Sequence, residues 1–570
     1  MGGGPSAPAP CARKYEDKMK CEMDTATKTT AVQWGETVRM SEKTRTWRRE
    51  QSNCPDGVVR TRWGMSVLLA LILFMLLLST SAFPVMADSA DVAKITDKIT
   101  DTDTRYTSLQ DAFDDAASGQ TVRLLDDIDS EAKAGSWPLT VAEGKNFTLD
   151  LAGYVIDRGL TEATSDGCVL IVNGSLTLND SNSARTHTNT ELPAGGVITG
   201  GKTSGDGGGV YLNGSFTMNG GTIYGNQASE YSSFGGGVYS NGGTMTMTGG
   251  AVKGNSASGY GGGIFIDYSG TFTLSGGEIS GNTADYGGGG ITINSSSSMT
   301  MLGGAITGNS ASYYYGGGVF CNGNAGSFTI SGGTISGNTR YDAANNVYLN
   351  GEKKITVGGE LNEETSIGIT MQTPGVFTNS SNTAYNAAAR FTSDNGNYAV
   401  GKNAYGQLYL GESRTLTYKA NGGTGDDVTE IYVSGSSVTV KDVTDSALSF
   451  TRDGYSFIGW NAEADGSGTA YADGASVTLT GNLTLYAQWA VASITTGSGE
   501  GTVTTYYESL HEALSAARNG DTIKLLKDIS SATEGSNASL IFDFYPISLN
   551  LLMVSVTPSY GFVLSRLWSM

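Results

Sequence analysis

Histidine is almost absent from this 570-residue chain, which has only His187 and His511, and basic residues are scarce. Lys and Arg number 35 against 55 Asp and Glu, a formal net charge of −20. Residues 1–87 carry 12 of the basic and 8 of the acidic residues, which leaves 23 against 47 for the rest. Phosphate recognition needs clustered Lys and Arg, so nucleic acid is not an expected partner. The acidity reads instead as the solubility of an exported surface. Cysteine is equally sparse. Cys11, Cys21 and Cys54 precede the one long apolar run, and Cys168 and Cys321 fall about five repeats apart. At strand spacing that is roughly 25 Å, too far for a disulfide.

Glycine is abundant, with 81 residues, about twice the usual ~7%. The glycines are periodic. G-G-x-[IV]-x-G-N recurs as Gly220–Asn226, Gly249–Asn255, Gly276–Asn282, Gly303–Asn309 and Gly332–Asn338. Two other short strands keep the same phase. One follows a glycine triplet (Val210-Tyr211-Leu212, Val238-Tyr239-Ser240, Ile264-Phe265-Ile266, Ile291-Thr292-Ile293, Val319-Phe320-Cys321) and returns without it as Val347-Tyr348-Leu349. The other is Phe216-Thr217-Met218, Met245-Thr246-Met247, Phe272-Thr273-Leu274, Met299-Thr300-Met301 and Phe328-Thr329-Ile330. Each alternates apolar with polar, the pattern of half-buried strands. Three strands per fixed period predict a parallel β-helix of roughly ten coils.

Stacking of coils about 4.8 Å apart turns equivalent residues into columns. The predicted inward columns are Val210/Val238/Ile264/Ile291/Val319, Phe216/Met245/Phe272/Met299/Phe328 and Ile223/Val252/Ile279/Ile306/Ile335. Cys321 joins the inward column of Leu212 and Ile266 as a small hydrophobe. Asn226, Asn255, Asn282, Asn309 and Asn338 are expected to form an amide ladder at one corner.

The fold class is therefore all-β: a parallel β-helix solenoid with an α-helical N-terminal cap, followed by a small module. Residues 1–63 are a polar extension. Residues 64–87 read as a signal peptide: Arg60 and Arg62 precede the apolar run Val67–Leu78, and Val85-Met86-Ala87 fits a small-x-small cleavage site. An uncleaved anchor is the alternative, since Gly64–Val85 is long enough to span a bilayer. A linker over 88–104 leads to the β-helix at 105–410. Its cap comprises Tyr106, Leu109, Ala112, Phe113 and Ala116 at helical spacing, then the strand Thr121–Leu125. The same pattern returns at Tyr507, Leu510, Ala513, Leu514, Gly520, Thr522, Ile523 and Leu525, so 491–535 is the start of a second β-helix cap. Residues 536–570 are atypical, with no visible continuation of that helix.

Residues 413–490 differ in composition. Leu416-Thr-Tyr418-Lys-Ala-Asn421-Gly422-Gly423, Phe450-Thr-Arg-Asp453-Gly454-Tyr455-Ser-Phe457-Ile-Gly459-Trp460-Asn461, Asp465-Gly-Ser-Gly468 and Leu483-Thr-Leu485-Tyr486-Ala-Gln488-Trp489 resemble the Listeria–Bacteroides (internalin-type B) repeat. The resemblance implies a small β-grasp-like module of secreted or cell-surface, adhesin-like proteins. The coils, through Gly249-Gly250-Ala251-Val252 and Gly303-Gly304-Ala305-Ile306, are similar to pectin-lyase-like β-helices with polymorphic outer-membrane-protein repeats.

β-Helices of that kind include polysaccharide lyases, so an enzyme is the alternative reading. Such chemistry needs converging Asp with an Arg or Lys base. Within the repeats the basic residues are Lys202, Lys253 and Arg340, and the acids, among them Asp206, Glu230, Asp267, Glu278, Asp285 and Asp342, sit at different places in the unit. The glycine triplets also lack the Asp of calcium-binding nonapeptides. No catalytic residue, metal or cofactor is expected. Two outward stripes remain. Tyr211, Tyr239, Phe265, Phe320 and Tyr348 form an aromatic column, broken by Thr292, and are the candidate ligand-binding residues for a host or neighbouring-cell glycan or protein, or for the cell envelope. Thr217, Thr246, Thr273, Thr300 and Thr329, flanked by Ser215, Thr244, Thr271, Ser298 and Ser327, form a hydroxyl array of the kind an ice-binding solenoid would use. The expected function is a non-enzymatic surface adhesin, with membrane contact only through an uncleaved 64–87 segment.

Overall fold

The computed structural model describes residues 91–97, 101–379, 388–497, 501–518, 521–527 and 550–552. The chain divides into compact units Met1–Asp88 and Ser89–Met570, and all described residues belong to the second. The expected extension, export signal and most of the atypical C-terminus lie outside the described residues. No helix among those described is long and apolar enough to cross a membrane.

One coil shows how the sequence becomes structure. Val238–Asn241, Thr244–Met247 and Ala251–Lys253 are its three anticipated strands, and Ser256–Ala257 adds a fourth. The next coil repeats them as Ile264–Asp267, Thr271–Leu274, Glu278–Ser280 and Thr283–Ala284, each parallel to its predecessor. The sheet built from second strands contains nine parallel members, from Thr121–Leu124 to Ile355–Val357. The solenoid therefore has about nine turns, close to the ten expected.

The three inward columns are in register and fully enclosed, as period-2 alternation requires. Cys321 pairs with Ile293 and Leu349 inside the core, and Cys168 is also buried and free. The fourth strand was not anticipated. Its inward column is Thr203, Ala228, Ala257, Ala284 and Ala311, all buried. The N-x-A at four of the five G-N corners was its signal, the fifth reading Asn338-Thr339-Arg340, and a two-residue strand is too short for a periodicity argument to detect.

The asparagine ladder forms and is longer than expected. In each buried step the backbone N and Nδ2 of one Asn both donate to Oδ1 of the next, from Asn226 to Asn255 (2.9 and 3.2 Å) and onward through Asn282, Asn309 and Asn338 to Asn346. Asp394 ends the chain, accepting from Asn346 N at 2.7 Å and Nδ2 at 2.6 Å. A carboxylate suits that position because it only accepts. Burial raises its pKa above the usual range, against the lowering effect of the bonds from Asn346 and Thr370.

At the N-terminal end the helix Leu109–Asp115 is capped by Ser108, whose hydroxyl accepts from Asp111 N, and it buries Leu109, Ala112 and Phe113. Gln110 bonds both backbone groups of Thr140, accepting from its N at 2.8 Å and donating to its O at 3.0 Å. Thr140 lies on Leu139–Val141, a strand of the first coil. The stretch expected as linker contains the hairpin Ala93–Asp97 and Thr102–Tyr106, which joins the first sheet antiparallel to Thr121–Leu124.

No flexible linker separates the solenoid from the following module. The strand Leu408–Lys419 pairs with Tyr398–Lys402 of the solenoid end, then with Val428–Val433 and Leu483–Ala490. Its Leu408 and Leu410 enter the solenoid core, and its Leu416 and Tyr418 enter the module's own core. No helix is found among the described residues of this module.

Candidate functional site

The aromatic column is in register as predicted, Tyr211 to Tyr239 to Phe265 to Thr292 to Phe320 to Tyr348. Its accessibility is not as predicted. These side chains point away from the solenoid core, yet Tyr239, Phe265, Phe320 and Tyr348 are only 3–6% exposed, and Tyr211 is half-buried. The cover is a second aromatic layer, supplied by the loops between the fourth strand and the glycine triplet. Phe234 stacks on Phe265 at 4.7 Å, and Tyr315 packs on Phe320 and Tyr348 at 5.4 and 4.5 Å. Tyr260 stacks on Phe320 at 5.6 Å. Thr292, the break in the column, donates its hydroxyl to Gly287 O.

A third layer faces solvent. Tyr286 packs on Tyr260 at 5.6 Å, and against it stand Tyr231 (6.0 Å, edge-on), Tyr313 (6.4 Å) and Tyr314 (5.5 Å). Tyr231 is 83% exposed, Tyr313 52% and Tyr314 49%. The hydrogen bond to Tyr231 pushes the Tyr286 phenol up to about 12, with burial and neighbouring charge adding to it. Arg340 continues the ridge. Its guanidinium donates to Tyr313 O at 3.1 Å and lies 5.1 Å from the exposed Tyr341 ring. The accessible aromatic site is thus Tyr231, Tyr286, Tyr313, Tyr314 and Tyr341, drawn from the loops that follow the fourth strand in four of the coils. Sequence reasoning missed it because those loops have no common spacing. The available signal was the tyrosine content at the same loop position, above all Tyr313-Tyr314-Tyr315.

The threonine column is longer than the sequence indicated. Thr121, Thr148, Thr177, Thr217, Thr246, Thr273, Thr300, Thr329 and Thr356 are each paired with the next in register, and all are half-buried.

Two carboxylates of the repeats accept from backbone N–H groups. Asp206 accepts from Phe234 N at 2.8 Å, with its pKa raised by burial, and Asp267 accepts from Tyr268 N and Asn294 Nδ2. Lys202 donates to Thr161 O. His187 Nε2 lies 2.7 Å from Gly195 O in the loop between the strands Ser175–Asn179 and Val197–Thr199, and His511 lies on the helix Leu510–Ala516.

In the module after the solenoid, Trp460 is enclosed by Tyr418, Phe450 and Phe457 at 5.0–6.1 Å, and its Nε1 donates to Lys441 O. Trp489 Nε1 donates to Ala420 O at 2.8 Å. Asn421, at φ 47°, donates to Ala464 O and Ala487 O, and Asn461 donates to Gly466 O and Gly468 O. These are the motif residues that carried the resemblance. Residues 415–488 match the Listeria-Bacteroides repeat domain. No curated protein and no solved structure matches the chain. In the Listeria-Bacteroides repeat of this protein the signature side chains build the core and fix the turns, so the motif specifies a fold and points to a surface-associated protein. It names no ligand.

Proposed function

We propose that this is an exported, non-enzymatic, adhesin-like protein of the cell surface, with the loop tyrosines of the solenoid as its binding face for a glycan. The observation that carries this reading is the solvent-facing ridge of Tyr231, Tyr286, Tyr313 and Tyr314 on a buried aromatic foundation. Ring faces held in place by packing lose little conformational freedom on binding, and several in a row suit an extended chain of sugar rings. The Listeria-Bacteroides repeat supports the location, since such modules occur in extracellular and surface proteins. The non-enzymatic reading is supported by the work Asp206 and Asp267 do as backbone acceptors. A surface of this kind needs no cofactor. The helix Leu109–Asp115 serves as the cap of the first coil, with Gln110 occupying edge groups that a missing coil would have used.

The test is a glycan array probed with residues 89–570, compared with a variant carrying Tyr231→Ser, Tyr313→Ser and Tyr314→Ser. Each lost ring removes roughly 0.5–1.5 kcal/mol of stacking, so the variant should bind at least about tenfold more weakly with an unchanged far-ultraviolet circular dichroism spectrum. Equal binding by both proteins would refute the ridge as the site. Absence of binding to any glycan would refute the glycan reading.

A further inference from the structure

The region after the Listeria-Bacteroides repeat rebuilds the beginning of the solenoid. Ala492–Thr496 and Val503–Tyr507 form an antiparallel hairpin, Leu510–Ala516 is a helix capped by Ser509, and Thr522–Leu525 joins the sheet beside Ala492–Thr496. The correspondence extends to individual hydrogen bonds. Val92 N donates to Tyr106 O and Leu125 N to Val92 O in the first copy. In the second, Val491 N donates to Tyr507 O and Leu526 N to Val491 O. Asn550–Leu552 then pairs parallel to Thr522–Leu525, as Asn146–Asp150 pairs to Thr121–Leu124. The second helix thus acquires one more strand than the sequence reading allowed.

The two copies differ at the outer strand of the hairpin. Thr102–Tyr106 reads T-D-T-R-Y. Asp103 accepts from Lys94 and Thr96 at 2.8 and 2.6 Å, and Arg105 pairs with Asp91 at 3.4 Å. Charged side chains of this sort blunt an edge strand against pairing with another chain. The equivalent Val503–Tyr507 reads V-T-T-Y-Y. Thr504 replaces Asp103 and meets Thr495 at 3.1 Å, and Tyr506 replaces Arg105. This strand carries no charge, is outermost in its sheet among the described residues, and leaves Val503 59% and Tyr506 47% exposed.

We propose that Val503–Tyr507 is a docking edge that pairs antiparallel with the same strand of a second copy of this chain. Three observations select a second copy. The strand has no charge with which to recognise a charged peptide. The chain as a whole is at −20, so like copies repel except where charge is missing. Antiparallel pairing centred on Thr505 sets Val503 opposite Tyr507 and Thr504 opposite Tyr506, the β-branched and aromatic combinations that stabilise neighbouring strands. The charge-free strand lies beyond the Listeria-Bacteroides repeat, so pairing would join two molecules and leave the solenoid faces open. Five residues a side bury far less than the roughly 1,200–2,000 Å² of a stable dimer, so the association is weak in solution.

Sedimentation equilibrium of residues 89–570 tests this against the variant Thr504→Asp, Tyr506→Arg, which transplants the charges of the first copy into a site whose backbone already accommodates them there. The wild-type mean mass should rise toward twice the monomer at high micromolar concentration, and the variant should stay monomeric. Amide exchange at Val503–Tyr507 should slow with concentration in the wild type alone. A wild type that remains monomeric, or a variant that dimerises equally, overturns the proposal.

Discussion

Gly289→Ala is expected to separate two coils of the solenoid and to cost about 4 kcal/mol or more, the range reserved for severe core disruption. A Cβ at Gly289 would lie 2.2 Å from Ser310 O and 2.6 Å from Gly317 O, both backbone atoms of the next coil. Neither can yield without breaking the parallel ladder in which Gly290 N and Ile291 N donate to Gly318 O. The control is Gly308→Ala. Gly308 has φ +63° but nothing within 4 Å of the added methyl, so it pays only the left-handed backbone cost of about 1–2 kcal/mol. Urea midpoints followed by circular dichroism should therefore fall far more for Gly289→Ala. Gly289 is not among the positive-φ glycines, so its loss measures close stacking alone, and equal losses would show that the contact with the next coil costs no more than a left-handed backbone position.

Asn282→Ala should be nearly as damaging. Asn282 is fully buried; its Oδ1 accepts from Asn255 N and Nδ2, and its Nδ2 donates to Val252 O and Asn309 Oδ1. Truncation orphans donors and acceptors on both neighbouring coils, at roughly 1–3 kcal/mol for each group left unsatisfied, so a loss of about 4 kcal/mol is expected in the same urea assay. Asn282→Asp is the sharper variant. It keeps the acceptor facing Asn255 but turns an oxygen toward Val252 O and Asn309 Oδ1. That environment raises the carboxyl pKa in the folded state above its unfolded value. Its stability is then greatest at low pH and is lost as pH rises through the folded value. A variant as stable as wild type at neutral pH would mean that the ladder contributes little.

Much of the architecture is readable in the residues, and the failures have a common cause. Alternation within a strand assigns Val238, Met245 and Val252 to the interior because their direction is set by their own backbone. The asparagine ladder follows from the fixed period. Whether an outward side chain meets water depends on something else: where the loops go. Tyr239 and Phe265 point outward as their phase requires, yet Phe234 and its neighbours fold back over them. Asp394 was invisible for a related reason, since it closes the ladder from 48 residues beyond Asn346. The Listeria-Bacteroides repeat was legible because its Trp, Asn and Gly residues are the ones its core and turns require. The strand shared across its boundary was not, because each half satisfies the pattern of its own module.

The loop tyrosines, and not the strand aromatics, meet solvent, and hydroxyl-radical footprinting of residues 89–570, read by mass spectrometry, tests this directly. Tyr231, Tyr313 and Tyr314 should be modified at rates comparable to Tyr405, which is 78% exposed elsewhere on the unit. Tyr239, Phe265, Phe320 and Tyr348 should react several-fold more slowly for the same ring chemistry. Equal labelling of the two sets would mean that the loop layer does not cover the column, and the binding face would move back to the strands.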